Sequence, residues 1–254
     1  MNLEEIKKYN IFKSELLNIE LLKTQGINNI SYLLKTTDKE YVLRVFKSKK
    51  SVNISREFEF MTQKKAYEKG FATKPIFLNK DFMIYLYEKG VHKDKLSNLE
   101  IKNLSKIVKK MHKIDLKSKN YNFAKDLKYY SSILKDEKSS KLLKKTQKAL
   151  KTLKKYKKDL VLTHHDLNPK NIIFTENKKI SIIDWEYAGT NDRFFDLATI
   201  CVEFKFTKGE EKIFLNNYFK KIKKSYIKKL KEYKKIYKNI CALWFSSLEN
   251  STKI

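Results

Sequence analysis

The residue types best suited to chemistry are concentrated between positions 164 and 186. His164-His165-Asp166-Leu167-Asn168-Pro169-Lys170-Asn171 is followed by Ile182-Ile183-Asp184-Trp185-Glu186. Moving a phosphoryl group from ATP needs a carboxylate that orients and deprotonates an acceptor hydroxyl. It also needs oxygen ligands for the Mg²⁺ that bridges the phosphates. Asp166, on a loop after a short strand, supplies the first. Asn171 and Asp184 flank two apolar strands that read as a hairpin, so their side chains can converge as metal ligands. A lone His-x-Asp carries little specificity; the ordered pair of loops carries much more.

The rest of an ATP site is expected upstream. Gln25-Gly26-Ile27-Asn28-Asn29 lies between two candidate strands, where backbone amides and small polar side chains can cover phosphates. It holds a single Gly and is no glycine-rich loop. Arg44 sits inside Tyr41-Val42-Leu43-Arg44-Val45-Phe46, a strand otherwise apolar. A cation there is costly unless paired, and Glu57 or Glu59 on the next helix can pair it. The pair matches the cation and helix-Glu device that holds the α- and β-phosphates in kinases.

These loops require a scaffold. Strands are expected at Leu160–Thr163, Ile172–Phe174 and 180–183, an island in a stretch otherwise helical. Helices are expected over 97–114 and 127–156, where Leu, Ile and Tyr recur at three- and four-residue spacing. Another is expected through Phe219, Ile222, Tyr226, Leu230, Tyr233, Tyr237 and Ile240. The first ninety residues alternate short strands around one helix: 30–34 and 41–46 about the turn Thr36-Thr37-Asp38-Lys39, a helix over 55–69 closed by Gly70, then the run 82–87. The expected class is α+β with two lobes. A small β-sheet lobe with one main helix would span 1–88 and bind nucleotide. A larger helical lobe over 89–254 would carry catalysis and substrate binding, ligands commonly sitting between lobes.

The motifs together resemble the choline/ethanolamine kinase family of the aminoglycoside phosphotransferase superfamily, a protein-kinase-like fold acting on small molecules. The pattern is most similar to bacterial choline kinases associated with phosphocholine incorporation. The resemblance covers nearly the whole chain, Gly26 to Trp244. It is carried by His164 to Asn171, similar to the family's His-x-Asp-x4-Asn loop, and by the segment Ile183 to Ala198, which includes Asp184-Trp185-Glu186-Tyr187 and Asn191-Asp192-Arg193-Phe194-Phe195-Asp196. Arg44 in place of the usual strand Lys also looks like choline kinases. The resemblance implies ATP and Mg²⁺ as cofactors, Asp166 as catalytic residue, and Asn171 and Asp184 as metal ligands. Gly26, Asn28, Asn29, Arg44 and Glu59 are then nucleotide-binding, the helix spacing from Glu59 to Gly70 favouring Glu59 over Glu57.

Choline is the acceptor the resemblance implies. A quaternary ammonium donates no N–H bond, so its recognition needs aromatic faces and carboxylates. Glu186, Tyr187, Glu203 and Trp244 are the substrate candidates. Where the family carries a second Trp three residues on, this chain has Ser247, which favours ethanolamine as the alternative. His164, Arg193 and Asp196 are expected to support the site, Asp196 by holding the catalytic loop. Met111-His112-Lys113 is similar to a recurrent Leu-His pair of structural role.

Composition bounds the rivals. Lys and Arg number 57 against 29 acidic residues, a formal charge of +28, but only Arg44, Arg56 and Arg193 are Arg. Arg reads bases and phosphates by its planar fork, whereas Lys is a solvated point charge, so no specific nucleic-acid partner is expected, only weak contact with anionic surfaces. The Lys-rich stretch 97–160 argues against aminoglycosides; thiamine and other small alcohols stay open. A non-catalytic kinase-like scaffold would lack one of Asp166, Asn171 or Asp184, and all three are present. Two Cys suit a reducing compartment, and neither a long apolar run nor a signal-peptide pattern occurs. A cytoplasmic protein without membrane insertion is expected; oligomeric state is not legible.

Overall fold

The computed structural model describes residues 1–254 except Thr24, Ile27, residues 48–54, Lys119 and residues 252–254. In chain order the elements are α1 (Leu3–Lys7), β1 (Leu16–Leu21), β2 (Asn29–Thr36), β3 (Glu40–Phe46), α2 (Arg56–Glu68), β4 (Pro75–Leu78), β5 (Phe82–Leu86), α3 (Asn98–Met111), α4 (Phe123–Ile133) and α5 (Glu137–Leu153). There follow β6 (Leu160–Thr163), β7 (Ile172–Phe174), β8 (Ile180–Ile182), β9 (Gly189–Asp192), α6 (Phe194–Glu203), α7 (Lys208–Tyr218) and α8 (Lys224–Ser251). The class is α+β, as expected. Residues 1–93 and 170–188 form one compact unit; residues 94–169 and 189–254 form another. The expected boundary near residue 89 left 170–188 with the helices, whereas this segment packs into the first unit.

The reason lies in main-chain pairing within that unit. Ile182 N–H donates to Phe71 O at 2.8 Å, and Val91 and Phe174 exchange both N–H···O bonds. Gly90 permits the latter, since a Cβ there would lie 2.5 Å from Ile173 Cγ2 and 2.6 Å from Phe174 O. The sheet itself is antiparallel, ordered β1-β2-β3-β5-β4. Alternation along β3 sorts its two faces. Tyr41 and Leu43 join Ile6, Leu16, Leu34, Phe82 and Ile84 in one core. Val42 joins Met83 and Tyr85 in the other, against which Phe60 of α2 packs. Arg44 shares the parity of Val42 and so faces α2. Ser55 caps that helix through Phe58 N–H, and Gly70 closes it with φ +81°.

In the second unit α6 is apolar on nearly every side and buried from Phe194 to Cys201. Helix α8 packs against it and against α5, and α3 packs against α7. Three expectations are corrected. The helix foreseen over 127–156 is two, because Leu134 turns extended and Asp136 caps α5 by accepting Ser139 N–H at 2.8 Å. The stripe beginning at Phe219 is not all helix: Phe219 is extended, and α8 starts at Lys224. The Phe219 ring instead stacks on Phe194 and tilts onto Tyr226, so the apolar spacing serves a bend. Strand β9 was not foreseen; it pairs antiparallel with β6, Thr163 opposite Gly189 and Leu160 opposite Asp192. Among the described residues no helix is long and apolar enough to cross a membrane.

Candidate active site

In the first unit the charged residues converge on Arg44. Its Nη1 donates to Asp184 Oδ1 at 2.7 Å and its Nη2 to Glu59, while Glu186 Oε2 lies 3.8 Å from Nη2. Glu57 is exposed and bonds Ser55 at its own helix end, so the strand cation is paired by Glu59. Burial alone would lower the Arg44 pKa, but Glu59 and then Asp184 overrule it, and the guanidinium holds its proton more tightly than usual. Tyr85, on the same sheet face, is pushed up to about 12 by burial, so it stays a neutral phenol.

A second guanidinium, Arg56, completes the cluster and had no role in the sequence reading. It donates to Glu59 Oε2 at 2.9 Å, to Glu186 Oε2 at 3.0 Å and to Asn29 Oδ1 at 3.2 Å, and it stands 4.0 Å from the Phe46 ring centroid. The one available signal was its type, one of three Arg among 54 Lys. Glu186 also accepts from Asn28 at 2.8 Å and Asn29 at 3.0 Å; Asn28 reaches the Tyr187 hydroxyl at 2.7 Å. The candidates Asn28, Asn29, Arg44, Glu59, Asp184, Glu186 and Tyr187 are thus one connected group. Gly26 stands beside it, its carbonyl accepting from Lys47 Nζ at 3.1 Å; its Cβ position is open, so no close approach demands glycine. Ile27 of the same turn lies outside the described residues.

Asn171 and Asp184 bracket β7 and β8, and Ile183 N–H donates to Asn171 O at 3.0 Å, clasping the two ends of the hairpin. Asp184 takes φ +64°, a left-handed conformation that a non-glycine residue holds only when its surroundings enforce it. Here Arg44 and the buried Trp185, whose Nε1 donates to Ile182 O, enforce it. Two guanidiniums against three carboxylates leave the cluster one negative charge. Asp184 is its most exposed carboxylate, at 35%, and Asn171, buried at the other end of the hairpin, carries an amide oxygen. Hard oxygen donors with residual negative charge fit Mg²⁺. Among the described residues no group of three or more His, Cys, Asp or Glu is arranged to hold a metal ion.

In the second unit Asp166 follows His165, also left-handed at φ +70°. Asp196 holds this loop. Its carboxylate accepts the main-chain N–H of His164 at 2.8 Å and of His165 at 2.9 Å, and His112 Nε2 at 3.0 Å. His112 Nδ1 meets the Tyr218 hydroxyl at 2.6 Å, which Arg193 also reaches, and Arg193 pairs Asp159 at 2.6 Å. Burial raises Tyr218 above its ordinary pKa, so its hydroxyl keeps its proton. Burial would raise the Asp196 pKa, but His112, His165 and the loop amides bring it below its ordinary value. His164 Nδ1 accepts the Asp166 N–H at 3.3 Å, and Asn168 donates to Asp166 Oδ1 at 2.9 Å.

The remaining candidates lie elsewhere in this unit. Glu203 is half-buried and accepts the Tyr237 hydroxyl at 2.8 Å. Cys241, pushed up to about 11 by burial, feels the carboxylates of both Glu203 and Asp166. Trp244 packs beside Leu127, Tyr130 and Leu143, its ring 4.9 Å from that of Phe245. Ser247 bonds Trp244 O at 2.6 Å.

Residues 23–223 match the model of the phosphotransferase enzyme family. Protein LicA of Haemophilus influenzae is 25% identical over 206 residues, 76% of this chain and 60% of that protein. The aligned region therefore spans under two thirds of that relative's length. The crystal structure of choline kinase LicA from Streptococcus pneumoniae superposes with TM-score 0.82 at 24% identity, over 98% of this chain and 91% of that one. A structure of LicA in complex with AMP gives 0.78, also at 24% identity, over 98% and 89%. The expected kinase-like fold is therefore the fold of this chain.

Proposed function

The chain belongs to the phosphotransferase enzyme family, and on that premise we propose that it transfers the γ-phosphate of ATP to the hydroxyl of choline. The observation that carries the reading is Asp184. It is held in a left-handed turn by the buried Arg44, beside the hairpin that joins it to Asn171. Similarity to LicA of Haemophilus influenzae and to the pneumococcal choline kinase supports choline as acceptor.

Asp166 accepts the proton of the acceptor hydroxyl as its oxygen bonds to the γ-phosphorus; the bridging P–O bond breaks and ADP leaves. Arg44, set by Glu59, binds phosphate oxygens, and the turn of Gly26, Asn28 and Asn29 covers them. Asp184 and Asn171 would hold Mg²⁺, which neutralises charge on the phosphates when bound. Glu203 and Trp244 are the carboxylate and aromatic partners proposed for the amino alcohol's cation. Positioning and charge neutralisation supply most of the acceleration in so loose a transition state. ATP as donor and two unpaired Cys are consistent with the cytoplasm.

A coupled ADP-release assay across choline, ethanolamine, thiamine and an aminoglycoside tests the assignment. Choline should give the highest kcat/KM. Ethanolamine is the second reading because Ser247 turns onto its own helix where the family pattern places an aromatic ring. A tenfold preference for any of the other acceptors would overturn choline.

A further inference from the structure

The sequence suggested that Glu186 and Tyr187 recognise the substrate's cation. We propose instead that Glu186 is a positioning residue for nucleotide binding, fastening with Arg56 the turn that carries Asn28 and Asn29. The inference rests on the phosphotransferase reading and assigns parts within it.

Glu186 is 5% exposed, and both of its oxygens are engaged. Oε1 accepts Asn28 Nδ2; Oε2 accepts Asn29 Nδ2 and Arg56 Nη1. Every one of these partners is an N–H donor, so both oxygens act purely as acceptors, as those of a carboxylate do. A cationic headgroup could reach it only by displacing these donors, leaving Arg56 or the amides buried without partners. Its donors come instead from the start of β2 and the first turn of α2, residues 157 and 130 positions away in sequence.

Arg56 is suited to this tie as Lys would not be. Its fork serves Glu59, Glu186 and Asn29 at once while its flat face lies over Phe46. Asn28 adds the Tyr187 hydroxyl as a second anchor, and its carbonyl accepts Lys47 N–H at 3.0 Å. Loss of the Glu186 charge therefore loosens both Asn side chains, leaving Asn28 only the Tyr187 hydroxyl and Asn29 only Arg56 among these side-chain bonds.

The test measures the dissociation constant of MgATP by titration and, separately, KM for choline, in Glu186→Gln, Arg56→Lys and Asn29→Ala. Bonds to a charged group are strong enough that Glu186→Gln and Arg56→Lys should weaken MgATP about tenfold or more. Choline KM should stay within about twofold. Asn29→Ala, which leaves no buried charge unpaired, should weaken MgATP about threefold and keeps the test open should the charge variants fail to fold. Glu68→Gln, on the exposed end of α2, is the control. Unchanged MgATP affinity in these variants, or a tenfold rise in choline KM alone, would overturn the proposal. A wild-type chain with no affinity for MgATP would instead bring down the phosphotransferase reading itself.

Discussion

Two buried carboxylates organise this molecule, one in each compact unit, by opposite means. In the first unit Glu186 is held by side chains: two guanidiniums and two amides from distant elements. In the second, Asp196 is held chiefly by consecutive main-chain N–H groups, with His112 closing the third side. Charge pairs can be remade when a ligand brings new charge, whereas main-chain donors are fixed by the loop's own conformation. The first arrangement suits a region that exchanges partners with a polyanion. The second suits a loop that must hold Asp166, the proposed catalytic residue, in one place.

The contrast is most exposed to test at Asp184, the cluster's outermost carboxylate. Asp184→Ala should cut kcat by about 10³-fold or more in folded, purified protein; wild-type turnover would reduce the cluster to a structural ion pair. Asp196→Ala should come next. It strands two loop amides and His112 in the interior, so chemical denaturation should show a loss of about 3 kcal/mol, with kcat falling alongside. Equal kcat in this variant would mean the loop holds its shape without its hub. Arg44→Lys keeps the charge but loses the fork that serves Asp184 and Glu59 together, and should raise KM for ATP about tenfold with the fold retained.

Acid should act on both hubs with the same sign. Asp196 and Glu186 hold their protons less tightly when folded than their ordinary values of 3.8 and 4.5. The stability they contribute is complete above those values and is lost as pH falls through the lower folded ones. Denaturation midpoints should therefore be level near neutrality and drop below about pH 4, less steeply in Asp196→Asn. The smallest effect belongs to Cys241, whose thiol is pushed up to about 11 by burial. Alkylation at neutral pH should be slow, and Cys241→Ser should leave kcat within about twofold.

Local signals were legible where chemistry and periodicity agreed. The hairpin around Asp38, helix α2 between Ser55 and Gly70, and the strands flanking Asn171 and Asp184 all stand in the sequence as alternation, caps and punctuation. Phe219 misled because an aromatic at helical spacing looks the same whether it continues a helix or wedges a bend. The break at Asp136 was readable as a capping residue, but Lys and Leu on both sides kept the pattern running across it. Arg56 showed only by its residue type, because its partners Glu186 and Asn29 are joined to it only by tertiary structure. Strand β9 escaped since Gly189-Thr190-Asn191-Asp192 has no apolar alternation; its pairing with β6 supplies what its composition does not.

The placement of residues 170–188 also has a consequence for biosynthesis. When the ribosome has released residue 93, the sheet and α2 are complete, but Ala72 lacks the Ile182 bridge and Arg44 lacks Asp184. Two guanidiniums must then wait, with Glu59 as their shared carboxylate in the cluster, while residues 94–184 are translated. The first unit is thus begun early and finished late. Its closure is a long-range event of the slow kind, set by chain order and not by local propensity.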